Sequence, residues 1–193
     1  SFFYVPTDIS YESRYSQPIY KSSMERIAEK AGALGRSIFL YGVVAPTPIE
    51  DITNKDTDPM IDFKTYDSRD HVYAWYEGLT YIPLVAWLFL LLGALFYFFK
   101  GLRSSSHTPL LLGLLGCLAF NFILHMNYGS EYFLYTAYWT YLLVFFIALV
   151  FAELAGRRWF ESLLTIFVWT LMINNAWFIF VLMRGLAPYF AAS

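Results

Sequence analysis

The chain has 193 residues, of which 58% are hydrophobic, 21% aromatic and only 15% charged, and its mean hydropathy is +0.48. This composition excludes an ordinary soluble domain of this length and indicates an integral membrane protein. The formal net charge of −2 provides no basic surface for a phosphate backbone, so we expect no nucleic-acid partner. Cys117 is the only cysteine, which supports neither a disulfide framework nor a thiolate metal site.

Residues 1–79 form a polar segment with twelve acidic and eight basic residues. Ser22 and Glu25 stand three apart, as in a capping box, where the serine hydroxyl accepts from a backbone amide and the glutamate reaches back to the cap. Apolar residues then recur at helical spacing, which predicts an amphipathic helix over about residues 23–34 that ends near Gly35. We expect this helix to lie on the membrane surface or to pack over the spans.

The stretch SIFLYGVVAP, from Ser37 to Pro46, is apolar, but its ten residues are too few to cross a bilayer. Three alternatives stay open for it: a strand, a buried helical turn or a re-entrant segment. The next stretch, residues 46–63, is rich in proline, threonine and carboxylates, which predicts an exposed loop. A calcium loop is the less favoured interpretation, because the required spacing of the acids is absent.

Four apolar windows are long enough to cross a hydrocarbon core of about 30 Å as helices. They cover residues 81–99, 109–126, 132–152 and 160–183. The sequence therefore predicts an all-α integral membrane fold in two parts. Residues 1–79 would be an exoplasmic segment with its amphipathic helix, and residues 80–193 a four-helix transmembrane domain.

Basic residues in the short connections predict the orientation of the spans. Lys100 and Arg103 follow the first span, and Arg157 and Arg158 precede the fourth, whereas the turn between the second and third spans has no Lys or Arg. The positive-inside rule places both basic loops in the cytoplasm. Residues 1–79 and the C-terminus are then expected to be exoplasmic, and their translocation requires a preceding signal or span.

Polar residues inside the predicted spans are candidate structural positions. Asn121 and His125 belong to a row of small and polar residues spaced by four on one face of the second span, a pattern that usually marks helix contact. Asn174 and Asn175 lie mid-way along the fourth span, where an unpaired amide is costly. We assign Asn121, Asn174 and Asn175 to interhelical hydrogen bonds, with a polar cavity as the alternative for the adjacent pair.

The turn after the second span has the pattern His125-x-x-Tyr128-Gly129-x-Glu131. Gly129 permits positive φ in a tight turn, which would hold Tyr128 and Glu131 near His125. Glu131 could orient a neutral imidazole or pair with an imidazolium. The turn is therefore a candidate functional site, as a general base or as a group that binds a donor diphosphate through a metal, and a purely structural turn is the alternative.

The sequence contains no dedicated metal or cofactor motif. His125 has no second histidine on its own helix, and His71 and His107 are predicted on opposite sides of the membrane. No haem-attachment, P-loop or nucleophile-elbow motif occurs. The aromatic residues leave pigment or quinone binding open, because an interface belt contains the same residue types. The cofactor is therefore unknown.

Two stretches, HMNYGSEYFLY from His125 to Tyr135 and the later INNAWFIFVL, resemble late spans of bacterial polytopic proteins related to GT-C-like glycosyltransferases of the dolichyl-phosphate-mannose type. The resemblance covers about residues 109–183. It implies transfer of a sugar from a polyprenyl-phosphate donor at the outer face of the bacterial inner membrane. Such enzymes carry their catalytic acid on an exoplasmic loop near the N-terminus, so the resemblance assigns no catalytic residue to this chain.

The sequence leaves two functions of different classes open. The chain is the C-terminal portion of a polyprenyl-phosphate-sugar-dependent glycosyltransferase, or an inactive relative, with the catalytic loop outside these residues. Alternatively, it is a non-catalytic structural or accessory subunit of a larger membrane complex. Besides the lipid bilayer, the expected partners are other membrane subunits or a preceding N-terminal half, and in the first case a lipid-linked sugar. Transport has little support, because no span carries a central charge.

Overall fold

The structure, a computed structural model, describes residues 24–53, 60–67, 72–103, 105–127 and 135–190. These residues are mainly helical, and three of their helices are long and apolar enough to cross a membrane. The predicted all-α membrane class is confirmed at this level. Three residues of the predicted functional turn, Tyr128, Gly129 and Glu131, lie outside the described residues, as does Ser22 of the predicted capping box.

Five α-helices organise the described part of the chain. They are α1 (Met24–Arg36), α2 (Tyr81–Gly101), α3 (Thr108–Asn127), α4 (Ala137–Val150) and α5 (Arg158–Phe190). Helix α1 is the predicted amphipathic helix, and α2 to α5 correspond in order to the four predicted spans. Among the neighbours, α2 packs against α4 and α5, and α3 packs against α4.

We predicted four spans, but only three of the described helices are long and apolar enough to cross a membrane. The candidate spans are Gly78–Gly101, Thr108–Asn127 and Arg158–Gly185. Helix α4 has 14 residues, and at about 1.5 Å per residue it covers about 21 Å, less than a hydrocarbon core of about 30 Å. The window 132–152 contains no charged residue, but the helix described within it begins only at Ala137 and ends at Val150.

Short strands follow α1 in a region that we predicted to be an exposed loop. Strand β1 (Ile49–Thr53) pairs antiparallel with β2 (Met60–Lys64), and β3 (Tyr66–Asp67) pairs antiparallel with β4 (Val72–Tyr73). The β-branched residues of β1 and β2 favour strands, but acids stand between them and a proline precedes each strand, and this composition concealed the pairing in the sequence. The prediction of a loop across residues 46–63 was therefore wrong for both strands.

The described residues between 24 and 80, here called the N-terminal lobe, share one hydrophobic core with the helices. That cluster includes Leu34 and Val44 from the lobe and Trp139 and Phe146 from α4. Helix α1 also packs against α3. The core therefore extends across the predicted boundary at residue 79, and the lobe is positioned by the apolar helices rather than standing apart from them.

Candidate functional site

The apolar stretch Ser37–Pro46, here called the inserted segment, is the part of the N-terminal lobe that lies buried against the helices. It begins as a π-helix, Ser37–Tyr41, in which the Gly42 amide donates to the Ser37 carbonyl at 3.1 Å. A turn over residues 42–44 follows, and the segment then continues without regular structure to Pro46. Of the three alternatives, the structure selects a buried helical turn, which leaves several backbone groups in need of partners.

Two neighbouring asparagines of α5 supply some of those partners. The Asn175 side chain donates to the Val43 carbonyl at 3.0 Å and accepts from the Ala45 amide at 3.1 Å, as a neighbouring strand would. Asn174 donates to the Ala45 carbonyl at 3.0 Å and to Asn175 Oδ1 at 3.1 Å. This set, here called the asparagine clamp, satisfies backbone that could not face lipid unpaired.

The partners of the three predicted interhelical asparagines differ from the expectation. Asn174 and Asn175 bond to the inserted segment, which reaches α5 from the N-terminal lobe. Asn121 donates to the Cys117 carbonyl of its own helix at 2.9 Å. The sequence showed that these amides need partners but not which backbone would supply them, because the irregular course of residues 42–46 has no periodic signature.

Two further side chains from the helices hold the inserted segment. Trp87 of α2 donates its indole N–H to the Phe39 carbonyl at 2.7 Å, and Thr140 of α4 donates its hydroxyl to the Gly42 carbonyl at 3.2 Å. Sequence reasoning missed both residues, since isolated Trp and Thr are ordinary in apolar helices. Three helices therefore converge on one segment through hydrogen bonds.

Two tyrosine hydroxyls bond the inserted segment to the rest of the N-terminal lobe. Tyr76 donates to the Val44 carbonyl at 2.9 Å, and Tyr41 donates to the Ala74 carbonyl at 2.7 Å. Burial raises the pKa of Tyr76 well above its usual 10.0, and the nearby Tyr41 raises it further. Burial also raises the pKa of Tyr41, against an opposing hydrogen bond from Arg36. Both phenols are therefore neutral donors at physiological pH.

His125 is 4% exposed and lies near the end of α3. Its Nδ1 is 2.9 Å from the Asn121 carbonyl, which can only accept, so Nδ1 carries a proton. The imidazole packs among aromatic rings at centroid distances of 4.7 Å from Tyr135, 5.2 Å from Trp139 and 6.2 Å from Tyr138. These contacts fix the ring orientation, while its predicted pairing with Glu131 lies outside the described residues.

Lys30 connects the N-terminal lobe to the same helix end. Its ammonium donates to the Met126 carbonyl at 3.2 Å, next to His125 and at the negative end of the α3 dipole. Burial lowers the pKa of Lys30, and the charge of Arg26 lowers it further. The lobe is thus held at the end of α3 from which the predicted functional turn leaves.

A second polar region lies at the opposite ends of α2 and α3. A cavity of about 640 Å³ there is lined by residues that include Lys100, His107 and Glu153. Within the described ranges, no group of three His, Cys, Asp or Glu side chains is placed to hold a metal ion. The described residues therefore provide hydrogen-bonding groups and one oriented imidazole, without a set of metal ligands.

Comparison with known proteins found no matching family model, no matching curated protein and no matching solved structure. The hydrogen bonds described above hold the N-terminal lobe against several helices and orient the imidazole of His125 at the end of α3.

Proposed function

We propose that this polytopic membrane protein is the C-terminal, membrane-embedded portion of a polyprenyl-phosphate-sugar-dependent glycosyltransferase, or an inactive relative of one. One observation carries the proposal: hydrogen bonds hold the N-terminal lobe at the end of the helices where the His125 turn begins. The described lobe and the end of α3 that carries His125 would together form a polar rim above an apolar helical surface.

Such a rim suits a substrate with two unlike ends. A lipid-linked sugar has an apolar chain that stays in the bilayer and a phosphate-sugar head at the interface. Transfer requires that the head be held in a fixed position relative to the reacting groups. The exposed apolar faces of α2 and α3 offer a surface to the chain, and the rim offers polar groups to the head.

His125 is the residue we assign to that head group. The bond from Nδ1 to Asn121 leaves Nε2 as the acceptor in a neutral ring, and the surrounding aromatic rings limit rotation. A neutral Nε2 can accept a proton from an attacking hydroxyl, and a protonated ring can bind a phosphate oxygen. In this proposal Glu131 acts with His125, and the catalytic acid is supplied from outside these residues.

A non-catalytic subunit of a membrane complex is the second candidate. Its support is the surface of α5, since only 11% of the most apolar part of that span is buried by the rest of the chain. Trp169, Trp177 and Phe180 are exposed on this helix. A helix with so much free apolar surface is suited to lipid or to the spans of a partner protein.

Sugar transfer by the full protein in its native membranes separates these functions. With a radiolabelled polyprenyl-phosphate sugar as donor, we expect His125→Ala to lower the transfer rate by about a hundredfold or more, the range of a lost general base. His107→Ala is the matched control, because that histidine is exposed at the opposite end of the helices, and it should leave the rate unchanged.

Two results would contradict the enzyme proposal. If the wild-type protein transfers no sugar from polyprenyl-phosphate donors, the subunit interpretation is the better one. If transfer occurs but His125→Ala leaves it unaltered while the protein assembles normally, the His125 turn is a structural turn.

A further inference from the structure

A guanidinium is held against aromatic rings at one edge of the N-terminal lobe. Arg36, in the last turn of α1, has its Cζ 4.1 Å from the centroid of the Tyr73 ring and 5.8 Å from that of Trp75. Stacking of this kind restricts the rotamers of arginine but leaves the N–H groups at the guanidinium edge free to donate.

The hydrogen-bonding capacity of Arg36 is only partly used. One bond reaches the Tyr41 hydroxyl, which itself donates a hydrogen bond to the Ala74 carbonyl. Within the described part of the chain, no carboxylate forms an ion pair with Arg36. An arginine has five N–H donors, so most of its fork remains available to an anion.

The position of this guanidinium coincides with the expected membrane interface. Trp75 is 57% exposed and donates its indole N–H at 2.8 Å to the hydroxyl of Tyr81, the first residue of α2. Leu79 and Ile82, which flank that start, are 81% and 55% exposed. Trp and Tyr beside exposed aliphatic residues are typical of the level where lipid headgroups meet hydrocarbon.

We propose that Arg36, held by Tyr73 and Trp75, binds the phosphate of a membrane lipid at this edge of the N-terminal lobe. The guanidinium fork pairs with two phosphate oxygens, the geometry in which arginine recognises phosphate best. Leu79 and Ile82 contact the adjoining acyl region. The inference does not rest on the proposed function, because a glycosyltransferase and an accessory subunit could use the site equally.

Native mass spectrometry of the purified protein with added phosphatidylglycerol tests this site. We expect Arg36→Gln to lower the bound fraction by about tenfold, as the loss of one charge-assisted bidentate pair predicts. Diacylglycerol with the same chains has no phosphate, and its binding should be equal in wild type and variant. Arg184→Gln is the control, because Arg184 is an exposed arginine of α5, and it should bind phosphatidylglycerol like the wild type.

Photolabelling of the wild-type protein tests the site even if Arg36→Gln folds poorly. In the wild-type protein, phosphatidylglycerol with a photoreactive headgroup should label peptides that contain Arg36 or residues 73–81, and labelling confined to other regions would overturn the proposal. Equal binding by Arg36→Gln and wild type would also overturn it. A polyprenyl phosphate, tested in parallel, distinguishes a lipid-linked donor from a bulk lipid headgroup as the source of the phosphate.

Discussion

Gly42 allows a close approach between the inserted segment and α4. A Cβ atom added there would lie 2.6 Å from Thr140 Oγ1 and 3.3 Å from the Ser37 carbonyl oxygen, distances that require atoms to move. Its φ of −65° suits any residue, so an alanine tests the approach alone. We expect Gly42→Ala to destabilise the protein by about 1–3 kcal/mol, measured by thermal unfolding in detergent.

Two variants serve as controls for Gly42→Ala. Adding Thr140→Ala removes the clashing oxygen and should restore part of the stability. In α3, a Cβ on Gly113 meets nothing within 4 Å, so Gly113→Ala should be neutral or stabilising by up to about 1 kcal/mol. A Gly42→Ala protein that unfolds at the wild-type temperature would show that the helices do not pack this closely on the segment.

The buried tyrosines make stability depend on alkaline pH. Below about pH 10, the ordinary pKa, Tyr76 is neutral in both the folded and the unfolded state, so its ionisation changes nothing. Because its pKa is higher in the folded state, the unfolded chain loses the proton first as pH rises. The free energy of unfolding should therefore decrease above about pH 10 until the folded-state pKa is reached.

Unfolding measured from pH 8 to 11 checks this dependence. Tyr76→Phe should be less stable than the wild type at pH 8 by about 1 kcal/mol, because the bond to the Val44 carbonyl is lost, and should decline less steeply above pH 10. Tyr141→Phe changes an exposed tyrosine on α4 and should retain the wild-type slope. If the free energy of unfolding decreases equally with pH in all three proteins, Tyr76 ionises as readily in the folded protein as in the unfolded chain.

At the scale of elements, sequence periodicity and length located the helices better than their partners. The amphipathic spacing predicted α1, and apolar windows predicted α2, α3 and α5 to within a few residues at most ends, although α5 continues to Phe190. These features can be recognised from local sequence, because each helix forms its backbone hydrogen bonds within itself. The shortness of α4 was not visible in the sequence, because no charged residue interrupts the window 132–152.

The candidate site was predicted only in part, for the same reason. Asn174 and Asn175 were recognised as amides in need of partners, because an unpaired amide in a span is costly wherever it lies. Their acceptors, Val43 and Ala45, are more than a hundred residues away in the chain. Long-range pairing with irregular backbone results from tertiary packing alone, so no local pattern could reveal it.

At the scale of the whole molecule, the N-terminal lobe caps one end of the helices and the basic connections lie at the other. We expect the lobe to be exoplasmic, because Lys100 and Arg103 at the opposite end follow the positive-inside rule. In a Cys117→Ser background, Glu77→Cys, at an exposed position of the lobe, should react with an impermeant maleimide in right-side-out vesicles. Ser105→Cys should react only after permeabilisation, and the reverse pattern would contradict the orientation.

Polar side chains of the helices anchor the N-terminal lobe through the inserted segment. Asn175→Leu preserves side-chain size but leaves the Val43 carbonyl and the Ala45 amide buried without their partner. Asn121→Leu is the matched control, because the Asn121 amide bonds within its own helix. Both substitutions replace an asparagine in an apolar helix by leucine.

Amide hydrogen exchange of residues 37–46 in detergent-solubilised wild type and both variants measures this anchoring. We predict that Asn175→Leu speeds exchange in this segment by about tenfold or more, because a lost buried partner lowers the local opening free energy by about 1.4 kcal/mol or more. Asn121→Leu should leave it at the wild-type rate. Unchanged exchange in Asn175→Leu would contradict the account, since the asparagine clamp would then not hold the lobe.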